Sequence, residues 1–434
     1  MDVVSAPARG LTRGRAAATV RAMARSSRVW LALGLAAAAV GAALAWRAWD
    51  DAPATTAPGA PAPIDAPVAP DVACAAGDAA ACERAGDAAA QRLDWTTARA
   101  RLTTGCDGRH GPACRHLGEL ELRGLGGEAN PVAATRRFAT GCDLGDLASC
   151  LALGVARRDG VGVPRDLTGA AGMFARACGG GQADACNDLG QALVVGAGVA
   201  VDLPRARELF LAACEREVLV ACRNAAIRLD AEGGDPARIV ALLTKACDGR
   251  DAPACVALGE RHLRTTPGPA DPVKALGFFD RACLHEDGAG CNRRGVAAER
   301  GQGVAKDVEA AGALYARACE LGDGAGCANL ARVRGGSVAD NLALYQRACD
   351  LGVGGVCADL GRMYADGRGL PKQPATALAL FERGCERGSA VACRNAAILY
   401  FRGVGASVDK ARAQALFTLG CQGGDAPSCA ELRR

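Results

Sequence analysis

Aromatic side chains make up only 4% of this 434-residue chain, which also holds just four histidines and four methionines. So thin an aromatic complement argues against one large globular interior and for closely packed short helices, as does the abundance of alanine. Close Cys-x2-Cys ligand pairs of the kind structural zinc sites use are missing, and no cysteine is left over from the spacing pattern described below. The chain also lacks HExxH, GxxxxGK[ST] and any GxGxxG, which removes the usual metalloprotease, P-loop and dinucleotide signatures. Charge of one sign is lacking too. Of 51 basic and 47 acidic residues, seven arginines and two aspartates fall in the first 50 positions, leaving 44 basic and 45 acidic residues beyond. An array this close to neutral has no global basic field for nucleic acid.

What is present is a repeat. The 22 cysteines form eleven Cys-x7-Cys pairs: Cys74 with Cys82, Cys106 with Cys114, Cys142 with Cys150, Cys178 with Cys186, Cys214 with Cys222, Cys247 with Cys255, Cys283 with Cys291, Cys319 with Cys327, Cys349 with Cys357, Cys385 with Cys393 and Cys421 with Cys429. Successive pairs mostly recur 36 residues apart. Self-similarity at such a period predicts a stack of supersecondary units that bury apolar faces against their neighbours.

Ahead of the array, residues 1–28 carry six arginines, and residues 29–46 are 18 uncharged residues, VWLALGLAAAAVGAALAW. That length suffices for one spanning helix, the arginines favour a cytoplasmic N-terminus, and Trp30, Trp46 and Trp49 suit the interface. A transmembrane anchor is expected, with a cleaved signal peptide ending near Ala43-Leu44-Ala45 as the alternative. Residues 50–71 are rich in Ala and Pro and are expected to be an extended spacer. Residues 72–434 are then a periplasmic array on an inner-membrane anchor, or a secreted or periplasmic one after cleavage. Export implies an oxidising compartment and hence disulfides. Bridges within each pair use every cysteine, whereas bridges from one pair to the next strand Cys74 and Cys429. The local spacing is always eight, while the intervals between pairs vary among 28, 25, 24 and 22 residues. Eleven local disulfides are expected.

Within a unit such as 150–186, two helices and two turns fit. Four residues before the first cysteine stands a large apolar residue: Leu102, Phe138, Phe174, Phe210, Leu243, Phe279, Tyr315, Tyr345, Phe381 or Phe417. Eight before it stands a small one, as at Ala134, Ala170, Ala206, Ala275, Ala311, Ala377 and Ala413. Spacing by four puts these on one helix face, and that face is core. Glycine three residues past the first cysteine, as at Gly77, Gly145 and Gly181, is placed to end the helix in a left-handed conformation. Gly-x-Gly motifs starting at Gly160, Gly196, Gly301, Gly367 and Gly403 separate the two helices. The hairpins between Cys82 and Cys106, Cys222 and Cys247, and Cys327 and Cys349 are short.

These features together resemble the Sel1-like repeat family, in particular its disulfide-bridged branch, the Helicobacter cysteine-rich proteins. The carriers are the 36-residue period, Leu-Gly after the second cysteine, Gly301-Gln-Gly-Val-Ala-Lys-Asp307, the Ala311 to Cys319 helix, and Cys-x7-Cys in every copy. The resemblance implies an all-α fold, an α/α superhelical solenoid of about ten helix-hairpin repeats related to tetratricopeptide repeats, which binds a protein or peptide partner. It also implies, as an alternative, a β-lactam- or peptidoglycan-binding protein with weak β-lactamase activity. A serine β-lactamase needs Ser-x-x-Lys with supporting Ser-Asp-Asn and Lys-Thr-Gly. Only Ser407-Val-Asp-Lys410 matches, in the variable link between helices, and the supporting motifs are absent. His110, His116, His262 and His285 occupy different repeat columns. No catalytic residue, cofactor or metal ligand is expected, and the expected function is that of an envelope scaffold.

Overall fold

A computed structural model describes residues 69–264 and 270–433. The expected membrane span at 29–46 and all but the end of the 50–71 spacer lie outside the described residues. Among the described residues, no helix is long and apolar enough to cross a membrane, and there is no strand. The chain divides into two compact units, Met1–Ala212 and Ala213–Arg434.

The first unit contains α1 (Pro70–Ala75), α2 (Ala79–Gln91), α3 (Trp95–Asp107), α4 (Gly111–Arg123), α5 (Pro131–Asp143), α6 (Leu147–Asp159), α7 (Leu167–Gly179), α8 (Ala183–Val195) and most of α9 (Leu203–Glu215). The second continues with α10 (Leu219–Ala231), α11 (Pro236–Asp248), α12 (Ala252–His262), α13 (Pro272–Leu284), α14 (Gly288–Arg300), α15 (Val308–Glu320), α16 (Gly324–Arg334), α17 (Leu342–Asp350), α18 (Gly354–Asp366), α19 (Pro374–Glu386), α20 (Ala390–Arg402), α21 (Lys410–Gln422) and α22 (Ala426–Glu431). Odd-numbered helices from α3 to α21, like α1, contain the first cysteine of a pair in their last turns. Even-numbered helices carry the second cysteine in their first turn.

Helix starts are written in the sequence by short acceptor side chains. Asp146, Asp251, Asp287 and Asp323 precede even helices, while Asp94, Asn130, Asp166, Asp271, Asp307 and Asp409 precede odd ones. Each accepts a hydrogen bond from a backbone N–H of the first turn, satisfying a donor the helix itself leaves unpaired. The Asp that closes the Gly301 to Asp307 motif is thus an N-cap, bonded to the Ala310 N–H at 2.9 Å. Helix ends use the left-handed region as expected, with Gly145 at φ +91° and Gly181 at +97°. In four copies Arg109, Glu217, Arg250 and Glu286 occupy the same turn position with φ between 60° and 72°.

Most hairpins close by seating a ring on a glycine. A Cβ on Gly118, Gly154 or Gly190 would lie 2.6 Å from Cε1 of Phe138, Phe174 or Phe210, and one on Gly295 would lie 2.7 Å from that of Tyr315. This contact explains the Leu-Gly after the second cysteine: the leucine enters the core and the glycine makes room for the partner helix. The small residues eight before the first cysteine are buried throughout, from Ala134 to Ala413. The large residues four before it are buried except Tyr345, whose helix α17 has nine residues and starts only three residues earlier.

Between hairpins, the second glycine of Gly-x-Gly lies on the start of the preceding odd helix. A Cβ at Gly162 would meet Pro131 O at 2.0 Å, one at Gly198 would meet Leu167 O at 2.2 Å, and one at Gly405 would meet Pro374 O at 2.5 Å. The motif therefore separates two helices and also permits backbone contact between repeats. Separate apolar clusters follow one another along each unit in place of a central core.

Two glycine substitutions distinguish packing from propensity. Gly295→Ala forces its methyl into the Tyr315 ring and is expected to destabilise the second unit by about 1–3 kcal/mol. Gly172→Ala, in the interior of α7 with nothing within 4 Å of the new methyl, is expected to stabilise the first unit by about 1 kcal/mol. Urea unfolding midpoints of the oxidised protein measure both.

Candidate functional site

Within each unit the even helices of successive hairpins pack on one another, α2 on α4 and α4 on α6 in the first, α12 on α14, α14 on α16 and α18 on α20 in the second. The odd helices touch their like neighbours more sparsely. The even helices thus form the shorter, inner layer of each unit, and their solvent-facing positions are the candidate binding surface.

Two columns dominate that surface. Two residues past the second cysteine stand His116, Asp188, Asn224, Arg293, Asn329, Asp359 and Asn395. Five past it stand Asp87, Glu119, Val155, Gln191, Ile227, Glu260, Val296, Arg332 and Arg362. All of these are partly or fully exposed, and they differ in charge and polarity from copy to copy, whereas the cysteines and the ring column recur. Neighbouring copies are linked through them. Arg293 pairs with Glu260 at 2.6 Å, and the Asn329 side-chain amide donates to Asn292 Oδ1 at 2.8 Å. Beside the Arg293–Glu260 pair, a cleft of about 300 Å³ is lined by Leu276, Phe279, Val296 and Arg300.

Two carboxyl groups in the inner layer are shifted, Glu299 by its hydrogen bonds and Asp188 by burial. Both Glu299 oxygens accept from Arg332 at 2.6 Å, and the buried Tyr315 hydroxyl donates to Glu299 at 2.6 Å. The Arg332 and then the Tyr315 hydrogen bonds hold the Glu299 carboxyl down at about 2, and burial followed by the Glu299 contact pushes the Tyr315 phenol up. In the first unit Asp188 lies 3.6 Å from Arg158 Nη1, with Asp159 and Asp184 nearby. Burial pushes its carboxyl up to about 6 against the pull of Arg158, and Asp184 adds to the rise.

The cysteines lie beneath this layer, paired as the spacing predicts. In the first unit Cys74 is bonded to Cys82, Cys106 to Cys114, Cys142 to Cys150 and Cys178 to Cys186. In the second, Cys214 is bonded to Cys222, Cys247 to Cys255, Cys283 to Cys291, Cys319 to Cys327, Cys349 to Cys357, Cys385 to Cys393 and Cys421 to Cys429. Each bridge crosses the turn from an odd helix to the next even one, with Cα atoms 4.5–4.9 Å apart, and among the described residues there is no free thiol. The second cysteines Cys114, Cys150, Cys255, Cys291 and Cys357 are wholly buried, with Cys186 and Cys393 nearly so. These are staples of the interior, whereas Cys178, Cys421 and Cys429 are half-buried. In the chain-entropy treatment a loop of this size contributes roughly 2.5 kcal/mol.

Ser407 lies in the link before α21 and Lys410 is the first residue of that helix, with Asp409 between them capping it. Ser407 and Lys410 do not share a helix, so no helical turn holds the amine against the hydroxyl. Of the histidines, His262 stacks on Phe278 with ring centroids 5.4 Å apart, and His285 is exposed at the end of α13. His110 and His116 converge with Glu83 and Asp87 on the inner layer, a grouping that different repeat columns conceal. The signal that would have exposed it is the offset between neighbouring even helices: positions one and five past one second cysteine face position two past the next.

A stack of paired helices with these caps and turns defines a helical hairpin-repeat protein. The Sel1 repeat profile matches residues 111–146, 147–181, 183–218, 252–287, 288–323, 342–353, 356–389 and 390–425, more than half of the chain, and the chain belongs to the Sel1 repeat family. The stretches left unmatched include most of the three short hairpins. Among solved structures, a protective antigen of uropathogenic Escherichia coli displaying an SLR fold is 21% identical with a TM-score of 0.52, over 84% of this chain and 81% of that one. A Sel1 repeat protein from Oxalobacter formigenes is 21% identical with a TM-score of 0.49, over 70% and 93%. Helicobacter pylori cysteine rich protein B is 25% identical with a TM-score of 0.26, over 29% and 96%. No curated protein matches the chain in sequence.

The Asp188 environment carries a pH dependence. Its folded-state pKa lies above the unfolded value, so its contribution is complete below the ordinary carboxylate range and is lost as pH rises through 6. Stability of the first unit is expected to fall by about 1 kcal/mol from this group between pH 5 and pH 7, and Asp188→Asn is expected to remove that slope. Thermal or urea midpoints across this range, for both proteins, test it.

Proposed function

We propose that this protein is a non-enzymatic interaction scaffold of the bacterial cell envelope, whose inner helix layers bind a protein or peptide partner. Residues 29–46 anchor it in the inner membrane, residues 50–71 hold it off the surface, and the array works in the periplasm. The observation that carries this reading is the contrast between a strictly recurring interior and an inner surface that changes from copy to copy. Repeat arrays gain specificity in that way, each copy offering a different side chain from an equivalent place. Eleven disulfides support an oxidising location, since such bonds persist outside the cytosol. Extended apolar and polar positions side by side, such as Ile227 and Asn224, suit a peptide segment better than a flat charged surface does.

The test uses the full chain in its oxidised form as bait against envelope extracts, with a reduced and alkylated sample as control. A partner is expected on the oxidised chain alone, and its retention is expected to fall at least tenfold with Ile227→Glu. Ile227 is 51% exposed, so the exchange leaves the hairpin interior intact. Retention unchanged by Ile227→Glu would move the contact off the second unit's inner layer, and saturable binding of no partner would overturn the scaffold reading.

A further inference from the structure

We infer that Glu83, Asp87 and His116 form a site for a divalent late transition-metal ion, zinc above all, on the inner layer of the first unit. Glu83 and Asp87 lie one helical turn apart on α2, and His116 faces them from α4. One ligand atom from each lies within 4.8 Å of the other two. His116 Nδ1 is 2.8 Å from Asp87 Oδ1 and 3.7 Å from Glu83 Oε1. Metal–ligand distances of about 2.0–2.2 Å in a tetrahedral zinc site separate neighbouring donors by about 3.4 Å. The two observed separations bracket that value, so small rotations of the three side chains suffice.

Three further features fit a metal better than a simple ion pair. His116 Nδ1 is buried and has no hydrogen-bond partner of good geometry, although a carboxylate oxygen stands beside it. Two carboxylates flank that one nitrogen, so three ligands of the kind zinc takes, two carboxylates and an imidazole, face one another. The other Glu83 oxygen, Oε2, lies 2.9 Å from His110 Nε2, and a ligating carboxylate held by an outer hydrogen bond is the usual arrangement around such ions. The side chains remain 21–41% exposed, which leaves a path for the ion and a coordination position for water or a donor from a bound partner.

One contact must rearrange. Arg115 Nη2 lies 2.6 Å from His116 Nε2, and a guanidinium only donates, so without metal the imidazole proton resides on Nδ1. Metal binding moves that proton to Nε2 and releases Arg115 toward partners it already touches, Glu119 at 3.0 Å and Asp146 at 3.4 Å. This assignment departs from the expectation that the chain holds no metal, and it does not depend on the scaffold reading.

The full chain, oxidised and free of any polyhistidine tag, is titrated with zinc chloride by calorimetry and with cobalt(II) followed by its visible absorption. One equivalent of zinc is expected, along with a cobalt spectrum of low coordination number. His116→Gln and Glu83→Gln are each expected to weaken zinc binding at least tenfold and remove the cobalt band, whereas His285→Gln leaves both unchanged. Circular dichroism establishes that the variants fold, and Glu83→Gln is nearly isosteric. Absence of saturable zinc binding, or binding equal in wild type and both folded variants, overturns the assignment.

Discussion

Closing each inter-hairpin turn with a disulfide between cysteines eight residues apart ties the last turn of an odd helix to the first turn of the next even helix, and the remaining contacts are built on that register. With few aromatics to bury, local apolar clusters alone would leave the angle between hairpins weakly determined. The bridge removes that freedom from the unfolded chain. Once the turn is fixed, the carbonyl of the first cysteine points at the following hairpin, and Arg176, Lys245, Arg347 and Arg387 reach the carbonyls of Cys142, Cys214, Cys319 and Cys349 at 2.7–2.9 Å. These cations sit where an odd helix ends and its carbonyls lack intrahelical donors, so charge and covalent closure act at the same place.

Hairpin closure depends on a second constraint, volume. A phenylalanine or tyrosine from the odd helix occupies the space that a side chain on the even helix would need, and glycine or alanine is what remains possible there. Gly118 with Phe138 and Gly295 with Tyr315 are two copies of one solution. Alanine takes the place in other copies, as Ala226 does in the hairpin containing Leu243, and glycine also meets leucine, as Gly86 does Leu102. A hairpin of this kind needs at most one ring, which is how the chain folds with 4% aromatic residues.

Much of this was legible in the sequence because it is local and repeated. The period, the ring column, the small residue four positions earlier, the left-handed glycines and the within-pair bridges all involve residues close in sequence or in fixed register, and each recurs often enough to stand out. Contacts between repeats were less legible. Nothing in the sequence distinguishes the second glycine of Gly160-Val-Gly162 as a backbone contact with Pro131, because the reason lies 31 residues earlier in another hairpin. The same holds for Glu83, Asp87 and His116. They occupy three columns when repeats are aligned, yet neighbouring even helices are offset along their axes, which brings those columns together in space.

This division between the recurring and the particular bears on how such a chain acquires function. Because the staples, rings and caps supply stability within and between hairpins, the solvent-facing inner positions carry little of it. A change from Asn224 to Arg293 or Asp359 at the equivalent place leaves the hairpin interior as it was. Surface chemistry can therefore differ in each copy, with acids and a histidine in the first two hairpins of the array and an arginine-rich column at Arg332 and Arg362. The exceptions are two half-buried carboxylates, Asp188 and Glu299. Their neighbours tie surface charge back to the interior, so those copies are less free to change than the rest.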